Sequence, residues 1–368
     1  MVQRVNNFFL IAGEKSGDLY GSKLIEELLN INPKAIINYW GGDMMKEAGG
    51  NLLQHYRSYN FMGFYEVFKN LNLFLNKINL FKKHLNDTKP SVVILIDFPG
   101  LNLRFAKYCK IKGMKVIYLI PPKVWAWNTN RIYQIKKYVD VTFSILPFEV
   151  DFFKKYGLKI FYYGNPLYSI IDCYKFNKIP YESNFKNTIS LLPGSRVAEV
   201  NNSIPIFKKI INSMPDNLFF VSCVDHIEKS IYDPLKYLKN VKLIFGRTYD
   251  MIKQSDVTVT VSGTASLEVA LLNVPQMVVY KTSFLTYLIA KMVVKVKYIS
   301  LVNLILNKPL IKEFIQKDFN SKTVKNEIIK ILSDNDYNKK IIKGYKEISR
   351  LLNKKNVISK IALHIMKE

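Results

Sequence analysis

Short apolar runs rich in β-branched and aromatic residues alternate with stretches of helical period along most of the chain. Residues 7–12, 36–40, 92–96, 116–120, 141–145 and 161–163 read as strands in the first half. Residues 188–192, 218–222, 241–245, 257–261 and 277–280 repeat the rhythm in the second. Between them lie stripes such as Leu24, Ile25, Leu28 and Leu29, spaced as one face of a helix. Strands alternating with helices predict parallel sheets joined by crossover helices, here twice over, in an α/β protein of two lobes. Residues 166–187, with Pro166, Pro180 and no clear period, read as the linker between a first lobe, 1–165, and a second, 188–338. In the remaining 339–368, Ile341, Ile342, Tyr345, Ile348, Leu351 and Leu352 keep a helical period, as do Val357, Ile358, Ile361 and Ile365. Two terminal helices of this kind pack back across the first lobe or onto a second subunit, so a homodimer stays open.

Charge narrows the field. The 368 residues hold 54 Lys plus Arg against 29 Asp plus Glu, a formal charge of +25, so the partner is expected to be an anion. A hydrophobic content of 49% excludes a disordered chain. Nucleic acid, anionic lipid and phosphorylated small molecules all fit the charge. Only seven of the cations are arginine (Arg4, Arg57, Arg104, Arg131, Arg196, Arg247 and Arg350), and the planar arginine fork is more specific than a lysine ammonium. Cys109, Cys173 and Cys223 are few and far apart, as in a reducing compartment, and give no metal spacing. The apolar run 8–12 is broken by Gly13-Glu14-Lys15, too short for a signal-peptide core, and no window reaches 18 uninterrupted apolar residues. The expectation is a cytoplasmic protein, soluble or peripheral to a membrane.

In open α/β sheets ligands bind beyond the carboxyl ends of strands. After the first strand comes Gly13-Glu14-Lys15-Ser16-Gly17-Asp18, which lacks the Gly-x4-Gly-Lys-Ser/Thr spacing of a phosphate loop and suits sugar hydroxyls better. The alternative is a tight strand-to-helix turn with Asp18 near an N-cap. Asp97 directly follows the apolar strand 92–96, where partial desolvation raises a carboxyl toward a useful base; the alternative is a turn before Pro99. Pro193-Gly194-Ser195-Arg196 leads from a strand into a helix, and its amides with the Arg196 fork suit a diphosphate. Ser262-Gly263-Thr264-Ala265 follows another strand with small residues and hydroxyls fit for phosphate, and Glu268 one turn on is placed for two ribose hydroxyls. Here the alternative is a capped helix with a solvated Glu268. His55, His84, His226 and His364 form no metal-spaced set, and Asp334-Asn335-Asp336 falls in a polar turn, so neither a metal nor a cofactor is expected.

From 61 to 85 the chain is unusually apolar. Phe64, Val67, Phe68, Leu71, Phe74, Leu75 and Ile78 form one helical stripe, Leu73, Leu80 and Phe81 spill beyond it, and Lys69, Lys77, Lys82 and Lys83 are interspersed. Such a belt rests in an anionic membrane interface or admits acyl chains; ordinary core packing is the competing account.

Taken in order, IAGEKSGD (11–18), GGDMMKEAG (41–49), MGFYEV (62–67), IDFPGLN (96–102), VWAW (124–127), LPFE (146–149), LLPGSRVAE (191–199), SGTASLE (262–268), YISLVN (298–303) and EFIQ (313–316) resemble one family, the lipid-A-disaccharide synthases. The resemblance implies two Rossmann-like lobes of the GT-B glycosyltransferase type. It also implies metal-independent condensation of UDP-2,3-diacylglucosamine with 2,3-diacylglucosamine 1-phosphate (lipid X), at the cytoplasmic face of the inner membrane. For such a reaction we expect inverting displacement with Asp97 as the base, Glu14 orienting the acceptor and Arg196 stabilising the departing diphosphate, and the resemblance places Asn303 and Gln316 near the donor. The chain departs from the family pattern at Lys15, at Gly100-Leu101, which removes a carboxylate beside Asp97, at Pro121 and Lys123, and at Asn165. Two other readings remain at this point: a different two-lobed UDP-sugar transferase or epimerase, and a basic membrane- or nucleic-acid-binding protein. The second leaves Glu14, Asp97 and Glu268 at strand ends unexplained, which argues against nucleic acid.

Overall fold

The computed structural model describes residues 7–58, 71–181, 184–294 and 296–368, with the backbone alone for 71–75, 285 and 289. The chain divides into two compact units, one running to Ser169 and including Lys354–Glu368, the other Ile170–Asn353.

Seven strands build the first sheet: β1 (Asn7–Ala12), β2 (Ile36–Gly41), β3 (Asn51–His55), β4 (Val92–Ile96), β5 (Lys115–Leu119), β6 (Val141–Ser144) and β7 (Phe161–Tyr162). Six build the second: β8 (Thr188–Leu192), β9 (Leu218–Cys223), β10 (Val241–Phe245), β11 (Val257–Val261), β12 (Gln276–Tyr280) and β13 (Glu313–Ile315). The orders are β3-β2-β1-β4-β5-β6-β7 and β10-β9-β8-β11-β12-β13. All pairings are parallel, with Ala12 beside Ile96 and Leu192 beside Thr260 at the carboxyl ends. The central strands are buried along both faces, which is why they read as continuous apolar runs rather than alternating ones. In each sheet the winding reverses beside the first strand, between β1 and β4 and again between β8 and β11. These are the points where doubly wound sheets open a ligand crevice.

The core of the first unit is aromatic. Phe81 stacks on Phe105 at 3.8 Å between centroids and meets Trp40 and Phe9 edge-on at 5.7 and 5.8 Å. Leu80 and Phe81, read from sequence as spilling from a membrane belt, belong instead to this core: Phe81 and Leu85 are fully buried, and Ile78 and Leu80 pack against them. The helix Leu71–Thr88 therefore seats its C-terminal half by ordinary packing. Phe64, Val67 and Phe68 lie outside the described residues, and Leu71, Phe74 and Leu75 are described by backbone only.

The last two helices part company. Asn335–Leu352 packs on Ala265–Leu271 and Leu301–Leu306 of the second unit. Val357–Ile365 returns to the first unit and lies on the helix Lys15–Ile31. His364 secures that return, hydrogen-bonding the Tyr163 hydroxyl at 2.9 Å and packing edge-on against Phe143 and Phe161.

Candidate functional site

At the first reversal, β1 delivers Glu14 and β4 delivers Asp97. Both are half-buried, and the two carboxyls are in hydrogen-bonding contact. Burial first, then the Glu14 carboxylate, pushes the Asp97 carboxyl up to about 7, while the Lys123 ammonium and the Phe98 amide pull the other way. Buried beside a carboxylate, Asp97 is therefore reluctant to ionise near neutrality.

The backbone that aims Asp97 is strained. Asp97 and Phe98 both have left-handed φ, +49° and +48°, and Ile120 after β5 has +63°. Such angles are uncommon for these residue types and persist only where neighbours enforce them. Here the Asp97 amide donates to the Leu119 carbonyl at 3.0 Å. The Asp97 carbonyl accepts from Asn102 Nδ2 at 2.7 Å and from the Tyr118 hydroxyl at 2.8 Å. On the other side lies Gly13, where a Cβ would stand 2.1 Å from the Phe98 ring. Glycine is thus required for Phe98 to fold over the loop and for the elbow to form.

Asp18 belongs to neither the site nor its own turn. It lies within the helix Lys15–Ile31, is 2% exposed, and accepts from the amides of Gly42, Met44 and Met45 at 2.7, 3.1 and 3.1 Å. It therefore caps a different helix, Asp43–Ala48. A further carboxylate that sequence reasoning left without a role, Glu149, follows β6 and is 2% exposed. It accepts from Trp125 Nε1 at 2.8 Å and from the Ser144 hydroxyl, and burial lifts it to about 7. Only its place in the LPFE segment hinted at it.

At the second reversal the loop after β8 runs Pro193-Gly194-Ser195-Arg196 into the helix Val197–Asn212. Gly194 has φ +112°, and a Cβ there would meet the Glu199 side chain at 2.5 Å. The Ser195 amide donates to Glu199 Oε2 at 3.1 Å and the Arg196 guanidinium to Oε1 at 3.5 Å, so the Glu199 carboxylate already sits where these donors converge. His226 braces the loop through the Ser195 carbonyl at 2.8 Å, and the Ser203 hydroxyl holds the Pro193 carbonyl at 3.2 Å. Neither bracing residue was evident in the sequence.

After β11, the Ser262 hydroxyl donates to the Ile299 carbonyl at 2.9 Å, and the Ser266 hydroxyl donates to the Gly263 carbonyl at 2.9 Å. Thr264 precedes the helix Ala265–Leu271, and open space surrounds the position a Gly263 Cβ would take. Glu268 accepts from the Tyr249 hydroxyl at 2.8 Å. Asn303 and Gln316 spend their side chains on the protein. Asn303 is 1% exposed, donates to Glu313 Oε1 and the Ile311 carbonyl at 2.9 Å each, and accepts from the Leu310 and Ile311 amides. Gln316 clasps the Thr282 backbone in both directions at 2.8 and 3.1 Å.

Among the described residues, no three His, Cys, Asp or Glu converge as metal ligands, and no helix is long and apolar enough to cross a membrane.

The chain resembles known proteins at two levels. In overall fold it matches a UDP-GlcNAc 2-epimerase from Neisseria meningitidis, bound to UDP-GlcNAc, with a TM-score of 0.66 at 13% identity, covering 98% of this chain and all of the other. It matches the glycotransferase of kitacinnamycin with a TM-score of 0.66 at 12% identity over 98% of both. This is the two-lobed α/β architecture of GT-B glycosyltransferases and related epimerases. In sequence it is 35% identical to lipid-A-disaccharide synthase 1 of Legionella pneumophila strain Paris over 90% of both chains. It is 32% identical to the lipid-A-disaccharide synthase of Trichlorobacter lovleyi over 92% of this chain and 91% of that one. The model of the lipid-A-disaccharide synthetase family matches residues 8–365, a span that takes in the acidic elbow of the first sheet and the arginine loop of the second. The chain belongs to that family.

Proposed function

We propose that this chain, by family a glycosyltransferase that forms the lipid A disaccharide, works by inverting displacement with Asp97 as the base. The 6-hydroxyl of lipid X gives its proton to Asp97 as its oxygen attacks the anomeric carbon of UDP-2,3-diacylglucosamine. The bond to the diphosphate breaks with oxocarbenium character at the ring, and UDP leaves. The single observation supporting this reading is the Glu14–Asp97 pair, a carboxyl held near 7 at a strained strand tip, close to where a base is most effective. Glu14 then orients the acceptor hydroxyls.

Arg196 with the Gly194 and Ser195 amides takes up the charge of the departing diphosphate, which competes with Glu199 for these donors. Ser262, Gly263, Thr264 and Ala265 face the phosphates, and Glu268 holds the ribose. Asn303 and Gln316 act by fixing the loops on which the donor rests. The acyl chains fall to Phe64, Val67, Phe68, Leu71, Phe74 and Leu75. Membrane association at the cytoplasmic face is further supported by the helix Phe284–Val293, whose Phe284, Leu288 and Met292 recur every fourth residue at 73%, 40% and 78% exposure beside Lys281 and Lys291.

Incubation of purified protein with both diacylated sugars, read by mass spectrometry, is expected to give disaccharide 1-phosphate. Asp97→Asn is expected to lower turnover by roughly 10²–10⁴-fold. Near wild-type turnover in that variant would remove Asp97 from its role and leave the leaving-group assignment standing.

A further inference from the structure

The elbow that aims Asp97 borders a cavity of about 450 Å³ that the steps above leave unused. Among the described residues its polar wall consists of Arg104, Arg131, Asn128, Asn130 and Gln134, with no acidic side chain in the lining. Two of the chain's seven arginines thus meet in one hollow. Arg104 comes from the helix Pro99–Ile111 and Arg131 opens the helix Arg131–Tyr138, two helices that pack on one another. The Arg131 guanidinium lies 4.7 Å over the Trp127 ring. Stacking of this kind holds the fork by its face and leaves its edge N–H groups for a planar or tetrahedral oxyanion. The amide side chains add neutral donors. Geometry thus gathers cationic and neutral donors in one place, as the chain's scattered lysines do not.

Position specifies which anion. The wall begins at Pro99, two residues beyond Asp97 and so within roughly 7 Å of it along the backbone. The acceptor carries its attacking hydroxymethyl group and its phosphate monoester on the two carbons that flank the ring oxygen of a single pyranose. We propose that the Arg104–Arg131 cavity takes the phosphate monoester of the acceptor sugar, so that seating the phosphate delivers the 6-hydroxyl to Asp97. The assignment rests on the reading of Asp97 as the base.

The test is steady-state kinetics of the full chain on the acceptor with and without its 1-phosphate. Wild type is expected to prefer the phosphorylated acceptor by roughly 10–100-fold in kcat/KM. Arg104→Gln and Arg131→Gln are each expected to raise the acceptor KM about tenfold. Both should leave the donor KM unchanged and the rate on the dephosphorylated acceptor unaltered. Arg131→Lys should recover only part of the loss. Equal losses on both acceptors, or a raised donor KM, would overturn the proposal. So would weakened flotation with anionic vesicles at unchanged acceptor KM, which would assign the cavity to lipid headgroups. Calorimetry with glucosamine 1-phosphate separates this outcome from failure of the base assignment. Binding lost in the arginine variants but kept in Asp97→Asn supports the cavity even if Asp97 proves not to be the base.

Discussion

Replacing Glu14 by Gln removes the carboxylate that, after burial, does most to hold Asp97 up at about 7. A base must be deprotonated to act, so the acid limb of kcat/KM in wild type is expected near 7, falling about tenfold per pH unit below it. Loss of a like charge in hydrogen-bonding contact lowers the neighbouring carboxyl by about one unit, or about 1.4 kcal/mol. Burial, the larger cause, persists, so Asp97 stays above its ordinary range. A limb moved from about 7 to about 6 raises the fraction of ionised base at pH 6 roughly fivefold. The ratio of kcat/KM at pH 6 to that at pH 8 should therefore rise by about that factor in Glu14→Gln, even though absolute turnover falls as the acceptor loses a contact. Lys123→Gln removes a cation that favours the ionised form and should move the limb the other way, by less, since Lys123 is exposed. Continuous detection of UDP release from pH 5 to 9 measures both. A limb that stays in place in both variants would refute the electrostatic account of the base.

Arg196→Gln is expected to weaken UDP binding by roughly 10–100-fold in calorimetry while leaving the acceptor KM alone; unchanged affinity would move the diphosphate elsewhere. Gly13→Ala places a methyl 2.1 Å from the Phe98 ring and should cost about 1–3 kcal/mol in urea unfolding and at least about tenfold in kcat, with Phe98→Ala in the same chain restoring part of the turnover. For Glu149, burial raises the folded pKa from 4.5 to about 7, so its neutral form favours the fold. That contribution is complete below about 4.5 and is lost as pH rises through about 7, a penalty of roughly 3 kcal/mol at pH 8. The Tm of Glu149→Gln relative to wild type should thus climb between pH 5 and 8, and a difference that stays flat would show that Glu149 is not held protonated.

What the sequence revealed and what it hid have physical causes. Buried strands such as β4, β8 and β11 announce themselves because both faces demand apolar residues. Of the four edge strands β7 and β10 were legible, whereas β3 and β13 passed unread, their short half-buried runs diluted by polar positions such as Gln54 and Glu313. Strand-tip position sufficed to single out Glu14, Asp97 and Arg196. The devices around them did not show, because they depend on partners far along the chain. Asp18 reaches residues 24 to 27 positions away, and the elbow at Asp97 is enforced by Tyr118 and Leu119 from the neighbouring strand. Beyond its place in the LPFE segment Glu149 gave no signal, since its demand for Trp125, 24 positions away, arises only once the two segments meet.

The closing helix Val357–Ile365 lies on Lys15–Ile31, the helix that begins at Glu14. The N-terminal lobe is therefore synthesised unfinished and can be completed only once residues 357–365 have been translated. A stop codon shortly before residue 354 would leave an open apolar seam along the helix that starts at the acid pair, a polypeptide fit for chaperones and proteases rather than for partial activity.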